Sequence, residues 1–73
     1  MENNLEYQEI FERSGFNTME EVQYKINSVI EAHPQEYGWV VGQPEVIKDM
    51  DGKYTVRIPL KKYSVVAKEG RLR

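Results

Sequence analysis

The sequence predicts a small α+β domain of two layers, in the order α-α-β-β, with an antiparallel β-hairpin packed on a helix. Three observations carry this reading. A capped amphipathic segment follows Thr18, and two alternating segments flank the turn-forming stretch DMDGK. The chain has 73 residues, enough for one layer of helix on one layer of sheet. A chain this short buries only about 60% of the surface that its unfolded form exposes. It has no cysteine, so no disulfide or thiolate metal site is expected to supplement the core. Self-association as a homodimer is therefore an expected source of further burial. Residues 1–73 read as a single domain, with 64–73 as a basic C-terminal tail.

Taken in order, NNLEYQEIFERSGF reads as a first helix. Asn4 caps it, Leu5, Tyr7, Ile10 and Phe11 mark an apolar side, and Gly15 supplies a left-handed terminating residue. Leu5, Tyr7 and Phe11 also fit a period of two, so a strand is the competing reading, with the intervening Gln and Glu favouring helix. NTMEEVQYKINSVIEAHPQ is the clearest helix. Thr18 and Glu21 form a capping box, and Met19, Val22, Ile26, Val29, Ile30 and His33 recur at three- and four-residue spacing as one stripe. Pro34 ends it near His33.

Two strands are expected at about 38–48 and 53–63. A three-residue Met50-Asp51-Gly52 loop, with Gly52 left-handed, sets their register. It pairs Val46 with Val56, Pro44 with Ile58 and Gly42 with Leu60 on the core face. On the other face it pairs Glu45 with Arg57, Val41 with Lys61 and Trp39 with Tyr63, and it sets Asp49 opposite Lys53. A slip of one residue exchanges the faces. Pro44 and Pro59 suit edges or bulges, because neither donates to a ladder.

The order becomes β-α-β-β if residues 5–11 form a strand instead. That outline, with Trp39 shortly after the helix, resembles the dodecins, small flavin-binding oligomers in which tryptophan stacks on the ligand. The resemblance covers roughly residues 5–63 in outline and length. It implies the β-α-β-β fold; no flavin site is carried over from it, and no cofactor is expected.

Charge divides the chain. Residues 1–52 hold eleven acids against Arg13, Lys25 and Lys48, whereas 53–73 hold seven Lys or Arg against Glu69, for a total net charge of −2. The segment MENNLEYQEIFER has neither the basic start nor the apolar run of a targeting signal, and a cytoplasmic location is expected. Glycine, acid and histidine spacings exclude the phosphate-loop, EF-hand and zinc-helix motifs. His33 reads as a helix-terminal residue near free carbonyls rather than as an acid–base catalyst. Neither an enzyme nor a metal site is expected.

What remains is a small non-enzymatic interaction or regulatory module acting through protein–protein contacts. Trp39, Val41, Lys61, Lys62, Tyr63, Lys68 and Arg71 are its expected partner-binding residues, since aromatic side chains beside cations are typical interface anchors. The alternative is nucleic-acid binding through the basic hairpin and tail, with Tyr54, Tyr63 or Trp39 available for stacking. A net acidic chain counts against it. In a further alternative, Glu6, Glu9 and Glu12 form an acidic helix stripe that blocks a nucleic-acid-binding protein. A small-molecule-binding oligomer is a third class.

Overall fold

The structure is a computed structural model that describes residues 4–64. It has the α+β class, with the order strand β1 (Leu5–Phe16), helix α1 (Met19–Ala32), a 3-10 turn (Gln35–Tyr37), and strands β2 (Trp39–Val41), β3 (Glu45–Lys48) and β4 (Tyr54–Tyr63). The first element is therefore a strand rather than a helix, and the α-α-β-β order gives way to the β-α-β-β outline with its second strand broken in two.

β4 explains the correction. Val56, Ile58 and Leu60 are almost wholly inaccessible, so β4 is central and needs ladder partners on both sides. β1 supplies one side from Leu5↔Tyr63 to Phe16↔Tyr54. β2 and β3 share the other side, at Trp39↔Lys62 to Val41↔Leu60 and at Glu45↔Arg57 to Lys48↔Tyr54. Against that demand, the modest helix propensity of Gln and Glu is a weak influence. Gly15 is left-handed, at φ +90°, but in a bulge between Arg13 and Phe16 and not at a helix end. A helix C-cap and a bulge want the same glycine.

The helix follows its sequence signals. Thr18 Oγ1 accepts from Glu21 N–H at 3.2 Å, and Glu21 Oε1 accepts from Asn17 N–H at 2.7 Å. Val22, Ile26 and Val29 of its stripe are buried against Val56, Ile58 and Leu60 of β4, each worth about 1.5–3 kcal/mol when fully covered. Phe11, Phe16, Trp39, Val41 and Tyr54 rim this core. Met19 and Ile30 remain about half exposed. The 14-residue helix is about 21 Å long at 1.5 Å per residue. The 12-residue β1 spans about 40 Å. Among the described residues one helix thus covers the middle of one sheet face, in a long, thin arrangement of 55 × 18 × 13 Å.

The hairpin turn matches its expected form. Gly52 has φ +83°, Gly52 N–H donates to Asp49 O at 3.1 Å, and Asp49 N–H donates to Lys53 O at 2.8 Å. Asp49 Oδ1 also accepts from the N–H groups of Asp51 and Lys53, each at 2.9 Å. The Lys53 ammonium reaches Asn17 Oδ1 at 2.8 Å, across to the helix start.

The expected register holds for β3, including Glu45↔Arg57 and Val46↔Val56. It fails for β2. Trp39 faces Lys62 rather than Tyr63, and Val41 faces Leu60 rather than Lys61. Gly42, Gln43 and Pro44 form a bulge that shifts the pairing by one and turns Trp39 and Val41 onto the helix side. Burial of those two side chains against the core favours the shift.

Of the edge or bulge positions expected for the two prolines, Pro44 takes a bulge, whereas Pro59 sits in the central strand opposite that bulge. A residue's N–H and C=O point to the same side of a strand. Pro59 O accepts from Gly42 N–H at 2.8 Å, so its missing donor faces the break between β2 and β3. A Cβ on Gly42 would stand 3.1 Å from both Cβ and Cγ of Pro59. Gly42→Ala is accordingly expected to cost about 1–2 kcal/mol, read as a lower urea midpoint at unchanged slope.

Candidate functional site

The sheet has two faces with different environments. Toward α1 lie the rows Tyr7–Lys62–Trp39, Glu9–Leu60–Val41 and Arg13–Val56–Val46. Away from it lie Leu5–Tyr63, Gln8–Lys61–Val40, Ile10–Pro59–Gly42 and Glu12–Arg57–Glu45, with Ile47 beside Thr55. Among the described residues, nothing covers this second face. Leu5, Ile10, Val40 and Ile47 stand on it at 51, 54, 47 and 42% exposure. Among the described residues six hydrophobic side chains are buried and eleven large ones are exposed. Isolated exposed apolar residues are ordinary; Leu5, Ile10, Val40 and Ile47 share one face, with the row Glu12–Arg57–Glu45 between Ile10 and Ile47.

The charges on the open face are largely answered within the chain. Arg57 Nε lies 3.6 Å from Glu12 Oε1, and Arg57 Nη1 lies 3.8 Å from Glu45 Oε1. The Glu45–Arg57 pair is the one that the hairpin register implies. These distances are long for hydrogen bonds, and Nε, shielded from water, has no hydrogen-bond partner. Such exposed pairs contribute at most about 1 kcal/mol.

Of the residues expected to bind a partner, Lys61 and Tyr63 lie on the open face. Trp39 and Val41 instead pack on the helix side. The Trp39 ring meets His33 edge-on at 4.5 Å and Tyr7 at 6.1 Å between centroids. Lys62 lies between Tyr7 and Trp39 in the sheet, with Nζ 3.7 Å from Glu6 Oε1. The chain's own acidic N-terminal segment therefore meets part of the basic C-terminal one. Lys68 and Arg71, with the rest of 65–73, lie outside the described residues.

The acidic stripe considered as an alternative on a first helix does not form one surface, because β1 divides it. Glu9 faces the helix side, where its carboxylate accepts from Tyr7 O–H at 2.7 Å. Glu12 faces Arg57 on the open side. The Glu9 hydrogen bond and charge together raise the Tyr7 pKa above the ordinary phenol value of 10.0.

His33 occupies the helix-terminal role expected of it. Its backbone N–H donates to Ile30 O at 3.1 Å, which frees Val29 O for the ring Nδ1 at 2.6 Å. A carbonyl only accepts, so Nδ1 carries the proton. A cleft of about 510 Å³ opens beside it, lined by Ile30, His33, Pro34, Trp39 and Pro44 among others. Among the described residues, no group of three or more His, Asp or Glu is placed to hold a metal ion, and no helix is long and apolar enough to cross a membrane.

Compared with protein-family models, with curated proteins and with solved structures, the chain matches none of them.

Sequence reasoning did not single out Leu5, Ile10, Val40, Ile47 and Pro59 as one surface. Leu5 and Ile10 were absorbed into a helical stripe, and the bulge reverses the phase of Val40. The usable signal was the alternation of Tyr7 and Phe11, which sets Ile10 on the opposite face, together with the switch of apolar phase across GQP; the bulge between Leu5 and Tyr7 that turns Leu5 over left no such signal.

Proposed function

We propose that this chain is a small, non-enzymatic interaction or regulatory module that acts through protein–protein contacts in the cytoplasm, with a homodimer as one of its forms. The observation that carries this reading is the open sheet face, where Leu5, Ile10, Val40 and Ile47 are exposed on a rigid ladder. The small core supports it too, since a partner laid on that face buries apolar surface at about 25 cal/mol per Å². Against a nucleic-acid role, Arg57 and Lys62 already stand beside carboxylates of the same chain.

A photo-crosslinking residue at Ile10 or at Val40, with Glu31 on the exposed side of α1 as control, tests the reading in extracts of the native host and with purified chain. Discrete adducts to a defined protein or a second copy are expected from the two sheet positions and not from Glu31. Adducts from none of the three, or equally from all, would contradict it. Flow-through on heparin at low salt is expected in parallel, and retention would favour the nucleic-acid alternative.

A further inference from the structure

β1 ends the strand order β1-β4-β2, and no strand lies on its far side among the described residues. The direction of its backbone groups follows from alternation. On β4, Pro59 O accepts from Gly42 N–H and Tyr63 N–H donates to Gly38 O, so the odd-numbered residues there turn toward β2. The even-numbered ones turn toward β1, in keeping with the donation of Ser64 N–H to Asn4 O. Opposed residues of an antiparallel pair turn toward each other or away together. Tyr7, Glu9, Phe11 and Arg13, paired with even-numbered residues of β4, therefore spend their backbone groups on β4. Gln8, Ile10 and Glu12 present theirs to the outside, a row of donors and acceptors ready for another strand.

Resting on the protein-contact reading above, we propose that the occupant of this edge is β1 of a second copy, paired antiparallel about a two-fold axis at Phe11. An axis normal to the sheet keeps both helices on one side, and the charges choose its position. At Phe11 it sets Glu9 of each copy opposite Arg13 of the other, Ile10 opposite Glu12, and Gln8 opposite Ser14. At Glu9 it would set Glu9 against itself and Glu6 against Glu12. At Glu12 it would set Glu12 against itself. At Ile10 it would leave Glu9 opposite Phe11 with no ion pair. Like charges directly opposed destabilise a ladder and opposite charges support it. Arg13 already lies over the Phe11 ring, 5.2 Å from its centroid, beside the axis. The result is one continuous sheet through both copies with no free β1 edge.

Sedimentation equilibrium of the full chain tests this. The unaltered chain is expected at the mass of two copies, dissociating on dilution. Glu9→Arg and Arg13→Glu each place two like-charge pairs across the axis, and each is expected to weaken self-association about tenfold or more. An equimolar mixture of the two variants restores it, because position 9 of one and position 13 of the other are again oppositely charged. Far-UV circular dichroism identifies folded variants. Should either reversal unfold the chain, the double change Glu9→Gln, Arg13→Gln takes its place, with an expected weakening of about threefold. A chain monomeric at every accessible concentration would overturn the proposal. So would a dimer indifferent to these charges, or two weakened variants that fail to rescue each other. None of these results removes the open-face crosslinks on which the broader protein-contact reading stands or falls.

Discussion

Ile58→Ala is expected to remove about 3–4 kcal/mol of stability, seen as a much lower urea midpoint at unchanged slope. Ile58 is wholly buried at the middle of β4, paired with Phe11 on one side and covered by the buried stripe of α1. Truncation removes three methyl or methylene carbons and leaves a cavity that a thin two-layer body has little material to fill. A domain of this size has about 4–11 kcal/mol in total, at 0.05–0.15 kcal/mol per residue. The loss is therefore a large share of the whole. Urea unfolding followed by circular dichroism measures it, with Ile58→Val as the graded control at about 1 kcal/mol. A cost below that of the valine control would mean that β4 is not the centre of the core.

Trp39→Ala is expected to cost about 2–3 kcal/mol, with loss of native near-ultraviolet circular dichroism. The indole is half-buried and meets His33 and Tyr7 edge-on. Edge-to-face pairs add about 0.5–1.5 kcal/mol beyond the area they bury. Read without the bulge, the same residue would be an exposed anchor whose removal affects binding and leaves folding unchanged. The two placements differ in one measurement: the denaturation midpoint of the variant. A midpoint equal to that of the unaltered chain would return Trp39 to the surface and undo the shifted register of β2.

That register shows how far the residues could be read on their own. The capping box at Thr18 and Glu21, the Val22–Ile26–Val29 stripe and the Asp49–Lys53 turn with its left-handed Gly52 were legible, because each is fixed by chemistry within one turn of chain. β1 and β2 were not. Gln, Glu and Arg in QEIFER favour a helix locally, but β4 needs a second ladder partner, a requirement set by residues about fifty positions away. The phase of Trp39 depends on one extra residue in Gly42–Gln43–Pro44, and on the advantage of setting the Pro59 carbonyl against Gly42 N–H. Neither influence is local to the tryptophan. The consequence for function follows directly. The aromatic–basic patch expected around Trp39 is divided between two faces, while Leu5 and Ile10, assigned to a helix stripe, come to lie on the open sheet.

Amide hydrogen exchange along β1 tests the central claim most directly, because it reads the strand, its orientation and its partner together. Tyr7, Glu9, Phe11 and Arg13 are expected to be protected at all concentrations by their bonds to β4. Gln8, Ile10 and Glu12 are expected to exchange freely in dilute solution and to gain protection as concentration rises and second copies occupy the edge. Rapid exchange of Gln8, Ile10 and Glu12 at every concentration would contradict the paired edge. A three- and four-residue period of protection from Leu5 to Phe16 would contradict the strand itself.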